Sequence, residues 1–123
     1  MEFNLTRIYA DEQGESHFES LPEYPMEPFC DGIAFSPVMP AEGFFLETFT
    51  GDFFDDWHNP PEGSRFAEFF LEGSMRFVLS DGTEKTFSRG DLLFFEDLTG
   101  KGHQTYGVSP GRSILLKLGP PQD

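Results

Sequence analysis

Beyond Gly43 the chain breaks into short apolar runs at spacings of about ten residues, separated by Gly, Pro, Asp and Ser. That rhythm marks an all-β sandwich or barrel. It predicts strands at 44–50, 66–71, 75–79, 84–88, 91–95, 103–108 and 113–118. The clearest hairpin joins Met75–Leu79 to Glu84–Ser88 through Ser80-Asp81-Gly82-Thr83, where Asp-Gly supplies the positive φ of a tight turn. A second turn is expected at Arg89-Gly90. Apolar residues nowhere recur at helical spacing for more than two turns, so helix should be minor.

Residues 1–42 read differently. Gly14, Pro22, Pro25, Pro28, Gly32, Pro37 and Pro40 leave only short extended pieces around Thr6 to Tyr9 and Ile33 to Val38. The expected organisation is a single domain: an arm over 1–42 packing on the outside, a barrel over 43–118, and a frayed tail over 119–123.

Composition sharpens this picture in three ways. Sixteen Phe, many in doublets such as Phe44-Phe45, Phe53-Phe54, Phe69-Phe70 and Phe94-Phe95, put bulk on both faces of the strands, because neighbouring residues of a strand point to opposite sides. At 123 residues one core is expected, and a single cysteine, Cys30, rules out an internal disulfide. Twenty-two acidic against eight basic residues give a net charge of −14, which repels phosphate backbones and anionic lipid surfaces. Nucleic acid and membrane are therefore excluded as expected partners. The acidic start Met1-Glu2-Phe3 lacks a signal-peptide pattern, and no apolar window approaches the roughly 20 residues of a membrane span, so a cytoplasmic protein is expected.

Two stretches around the histidines resemble the two motifs of the cupin superfamily. The first motif of that family runs Gly, five residues, His-x-His, three or four residues, Glu, six residues, Gly; it is approximated here by Gly51, Trp57-His58-Asn59-Pro60-Pro61 and Arg65 to Gly73. The second runs Gly, five residues, Pro-x-Gly, two residues, His, three residues, Asn, and is approximated by Gly90 to His103, with Glu96-Asp97-Leu98-Thr99-Gly100-Lys101-Gly102-His103 its most specific part. Arg7 to Tyr9 and Gly14 to Phe18 extend the likeness to a group of small single-domain cupins across nearly the whole chain. The resemblance implies a cupin-type antiparallel β-barrel, or jelly roll, with an extended N-terminal arm. It also implies metal-dependent chemistries such as isomerisation, lyase reactions or dioxygen-dependent cleavage.

The departures bear on function. The second histidine of the first motif falls on Pro60, its glutamate on Phe66, and the terminal Asn of the second on Gly107; by strict count two of four metal ligands survive, His58 and His103. Glu68 lies two residues after Phe66 and so shares its face. A His58–Glu68–His103 triad holding Fe, Mn, Ni or Zn is one expectation. The other is a metal-free polar pocket in which the histidines bond to each other, to water or to Glu68, since a carboxylate among Phe residues must be paired or neutralised.

Alternation puts Phe66, Glu68, Phe70, Met75, Phe77 and Leu79 in the lumen, with Trp57 as a wall of its mouth. Such a lining suits an apolar ligand with one polar handle. Two functions follow: a small-molecule pocket with metal-dependent turnover, or a non-catalytic, metal-free binding or sensing module. Asp55 and Asp56 are read as a solvated turn, Asp97 as the brace of the Thr99-Gly100 turn, His17 as a structural hydrogen-bonder, Lys101 as exposed and Cys30 as unreactive. Ile33-Ala34-Phe35 and Val38-Met39 are too short for a core of their own, so a two-fold homodimer built from the arm and the outward Phe residues is expected.

Overall fold

The structure, a computed structural model, describes residues 3–22 and 24–121. Ten strands account for nearly all regular structure: β1 (Asn4–Ala10), β2 (Ser16–Ser20), β3 (Glu27–Cys30), β4 (Ile33–Phe35), β5 (Gly43–Phe49), β6 (Phe54–His58), β7 (Arg65–Leu79), β8 (Glu84–Ser88), β9 (Asp91–Glu96) and β10 (His103–Gly119). The only helical element among the described residues is a 3-10 turn at Pro61–Gly63.

Two long strands organise the rest. The runs predicted at 66–71 and 75–79 are one strand, β7, and those at 103–108 and 113–118 are one strand, β10. Each bends in the middle, β7 at Gly73 with φ 75° and β10 through register shifts between Gly107 and Ser113, so the interruptions seen in the sequence are bends within strands and not turns between them. The two pair antiparallel along their length. Past the bend their neighbours change. The first half of β7 lies beside β9 and its second half beside β8, while β10 lies beside β6 first and β5 later. Two layers thus face each other across a shared pair of bent strands, in a jelly-roll arrangement.

The first layer is completed by β1, which runs parallel to β9, and by β2, antiparallel to β1. The sheet is accordingly mixed, with one parallel pair in an otherwise antiparallel arrangement. Part of the segment read as an outer arm is therefore a ladder member. Ile8, on β1, is fully buried with Phe70, Phe77, Phe87, Leu93 and Phe95 in the core between the layers. A smaller cluster of Leu5, Ala67, Phe94 and Leu118 sits on the opposite side of the first layer. Phe94 and Phe95 go to different clusters, as the doublet pattern requires. β3 and β4 form a separate two-stranded sheet. The predicted tail narrows to Pro120 and Pro121, both exposed, and its last two residues lie outside the described residues.

Candidate functional site

A cavity of about 150 Å³ lies between the layers. Glu47 of β5 and Glu68 of β7 reach it from one layer; Met75 and Phe77 of β7, His58 of β6 and His103 of β10 reach it from the other. Phe45, Phe66, Phe95 and Leu115 supply apolar wall, and Phe53, Asp55 and Pro61 stand at its open side.

Strand β6 brings the histidines together. It falls on Phe54–His58, a stretch read from the sequence as containing a solvated turn, and it pairs with β10 so that His58 lies directly opposite His103. The two rings meet edge to face with centroids 4.5 Å apart. Asp55 and Asp56 are extended and not in a turn, though both are exposed as expected. Asp55 lines the cavity with a carboxylate oxygen 3.4 Å from His58 Nε2, while Asp56 accepts a hydrogen bond from Gln104 Nε2 at 2.9 Å.

Each histidine is oriented through its other nitrogen. His58 Nδ1 donates to the carbonyl oxygen of Asp56 at 2.6 Å, and His103 Nδ1 donates to Asp97 Oδ2 at 2.6 Å. A carbonyl only accepts, so Nδ1 of His58 carries a proton, and the Asp97 carboxylate selects the same tautomer for His103. His103 Nε2 is left to meet a ligand, while His58 Nε2 already faces the Asp55 carboxylate. Asp97 is therefore not the brace of the Thr99-Gly100 turn; it is fully buried beneath His103, and its Oδ1 has no hydrogen-bond partner among the described residues. The loop is braced by Asn59, whose Nδ2 donates to the carbonyls of Asp97 at 2.9 Å and Thr99 at 3.2 Å.

The glycines of this loop are required by contact. At Gly102, with φ 73°, a Cβ would run into the carbonyl of His58, and at Gly100, with φ 80°, into the backbone of Gly14. Lys101 N donates to the Gly14 carbonyl at 2.9 Å, and Ser16 Oγ to that of Gly102 at 2.7 Å. The Gly14-to-Phe18 and Thr99-to-His103 segments thus meet in space. His17 bridges Asp11 at 2.6 Å and Asp81 at 3.0 Å, and the exposed Lys101 pairs with Glu15. Glu96 is held by Arg7 at 3.3 Å and Arg65 at 3.6 Å.

On the facing layer Glu68 is buried, with Ser113 Oγ donating to its Oε2 at 2.7 Å and the Glu47 side chain bonded to it. Burial, reinforced by repulsion from Glu47, pushes the Glu68 carboxyl up to about 8, and burial raises Glu47 as well. Near neutral pH Glu68 is thus held largely as the neutral acid beside Glu47. Glu47 went unnoticed in the sequence, although the alternation Phe45-Glu47-Phe49, ending on a buried Phe, carries the signal.

The expected His58–Glu68–His103 metal triad is not assembled. Among the described residues no three His, Cys, Asp or Glu side chains converge closely enough to hold an ion. Glu68 stands on the layer facing the histidines, where Ser113 Oγ holds its carboxyl. Three further lumen assignments change, and one of them is Leu79, which is buried in the core cluster and does not line the cavity. Trp57 points away from the cavity to a shallow outer depression beside Val78 and Lys101, because alternation on β6 sends it opposite His58. Phe70 is fully buried in the core stacked on Phe87 and does not line the cavity. Phe66, Phe77, Glu68, His58 and His103 do line it.

No protein-family model matches the sequence, and no curated protein matches it. Several solved structures are similar to the chain, three of them as follows. One, from Neisseria meningitidis, is 25% identical over 61% of this chain and 71% of its own, with a TM-score of 0.49. An RmlC-like cupin protein from Desulfovibrio desulfuricans is 13% identical over 97% and 85%, with a TM-score of 0.49. The EutQ protein of Clostridium difficile is 17% identical over 67% and 52%, with a TM-score of 0.39. No helix of the described residues is long and apolar enough to cross a membrane.

Proposed function

We propose that this cupin-fold chain binds a small, neutral, largely apolar molecule carrying one hydrogen-bond donor, in the cavity between the two layers and without a metal. The carrying observation is His103 at a largely apolar cavity, its Nδ1 committed to the buried Asp97 and its Nε2 without a hydrogen-bond partner among the described residues. That acceptor, with the Asp55 carboxylate beside His58, favours a donor such as a phenolic or alcoholic hydroxyl or an amine. The volume of about 150 Å³ suits a benzene-sized body. Glu47 and Asp55 at the cavity, on a chain of net charge −14, disfavour an anion.

One feature favours turnover over simple binding. The buried Asp97–His103 pair is the arrangement of a general base, with the carboxylate orienting the imidazole and stabilising its protonated form. On this reading His103 Nε2 takes the proton from the bound donor or from an adjacent carbon, and the imidazolium so formed, held by the Asp97 carboxylate, returns the same proton.

Calorimetry with phenol, benzene and benzoate tests the binding mode. Phenol is expected to bind more tightly than benzene, benzoate not at all, and the phenol preference to vanish in His103→Phe. Preferential benzoate binding overturns the proposal. So does a stoichiometric metal in protein purified without chelator or metal-affinity tag that is lost in His58→Ala and His103→Ala.

A further inference from the structure

We propose, resting on the cavity reading above, that the ligand carries a second hydroxyl at the end remote from His103, and that the Glu47–Glu68 carboxyl pair receives it. The molecule is then a neutral, ring-sized diol that spans the cavity from one layer to the other.

The pair is built by the strand ladder. Strand β10 lies between β5 and β7, with Ser113 opposite Glu47 on one side and Leu115 opposite Glu68 on the other. Residues two apart on a strand share a face, and directly opposed residues do too, so both carboxyls enter the same space. Ser113 places only a short side chain between them, and its Oγ donates to Glu68 Oε2 at 2.7 Å. His103 stands at the start of the same strand, before the bend that carries β10 from one layer to the other, and so faces the pair across the cavity. One bent strand thereby sets both polar ends, with Phe66, Phe77, Phe95 and Leu115 as apolar wall.

Both ends call for a donor. His103 is buried, its Nδ1 donates to Asp97, and its Nε2 is therefore an acceptor without a partner among the described residues. At the other wall, burial and mutual repulsion raise both carboxyls, so Glu68 holds a proton beside Glu47 and the pair keeps one negative charge. No lysine or arginine stands among the residues lining the cavity to meet that charge. A bound molecule takes water away from both acceptors, and each acceptor left unmet then costs affinity. A single hydroxyl satisfies one wall and abandons the other, whereas a diol satisfies both. The proton already held within the pair makes a hydroxyl sufficient, and an ammonium would have to shed its water among phenylalanines.

The test is calorimetry with cyclohexanol, the cis and trans isomers of 1,4-cyclohexanediol, 4-methoxycyclohexanol and trans-4-aminocyclohexanol. At least one diol isomer is expected to bind about tenfold more tightly than cyclohexanol, the worth of one hydrogen bond to a charged group. The methoxy compound, which keeps the second oxygen but not its proton, is expected to show no such gain, and this comparison needs only the unaltered protein. In Glu47→Leu the ratio of diol to cyclohexanol affinity is expected to fall to about one, while Glu72→Gln, at an exposed carboxylate outside the cavity, keeps it. A diol gain shared by the methoxy compound, a gain that survives Glu47→Leu, or tighter binding of the amino alcohol than of either diol overturns the proposal. Binding of cyclohexanol and phenol with no diol gain overturns it while leaving the cavity reading in place, and no binding by any of these compounds removes both.

Discussion

Replacing Glu68 by Gln should make the protein more stable, and increasingly so as the pH rises. The folded carboxyl sits at about 8 against 4.5 unperturbed, so between those values the folded chain binds more protons than the unfolded one. Stability is then full below about 4.5, falls as the pH rises toward 8 and is flat above. At about 1.4 kcal/mol per pKa unit the whole interval has a ceiling of roughly 5 kcal/mol. Because the pI is about 4.3, titration starts safely near pH 5.5, and the part of the interval left up to pH 8 is worth about 3 kcal/mol. Gln keeps an oxygen for Ser113 Oγ and cannot ionise. Urea unfolding followed by circular dichroism is expected to show the Glu68→Gln advantage growing by about 3 kcal/mol between pH 5.5 and 9. Glu72→Gln, at an exposed carboxylate paired only with Arg112, should show no such growth. Parallel stability curves for the unaltered protein and Glu68→Gln would refute the neutral buried acid.

Asp97→Asn leaves His103 over a buried site stripped of its charge, and is expected to cost about 3 kcal/mol and to weaken phenol binding at least tenfold; unfolding curves that coincide with those of the unaltered protein contradict the pairing. Hydrogen bonding to Asp11 raises the pKa of His17, so its contribution is present below about pH 6.5 and lost as the pH rises through the folded value. The destabilisation by His17→Gln should accordingly be larger at pH 5.5 than at 8.5, and the reverse order counts against the Asp11–His17–Asp81 bridge. Gly102→Ala forces a Cβ against the His58 carbonyl and is expected to cost about 2 kcal/mol or more, whereas Gly43→Ala meets nothing and should be silent; equal melting temperatures for the two variants would remove the claim that Gly102 sets the His58 position.

Local chemistry alone determined a good deal of this protein. Period-two alternation, the Asp81-Gly82 turn and the Phe doublets specify an all-β chain with bulk on both faces, because side-chain direction in a strand depends only on the neighbouring residue. The inward set Phe66, Glu68, Met75 and Phe77, and the coming together of His58 and His103, were legible for the same reason. Other features depend on which strands lie side by side, and no local pattern encodes that. Gly73 and the Gly107–Gly111 segment read as breaks but are bends, since β7 and β10 exchange neighbours there without ending. Asp97 looked like a turn residue until the fold buried it under His103, and Trp57 looked like a lumen wall until the pairing of β6 with β10 set the face of every residue on that strand. The environment of Glu68 is likewise absent from any local reading: Glu47, 21 positions away on another strand, lies against it, and burial of the two together raises both carboxyls.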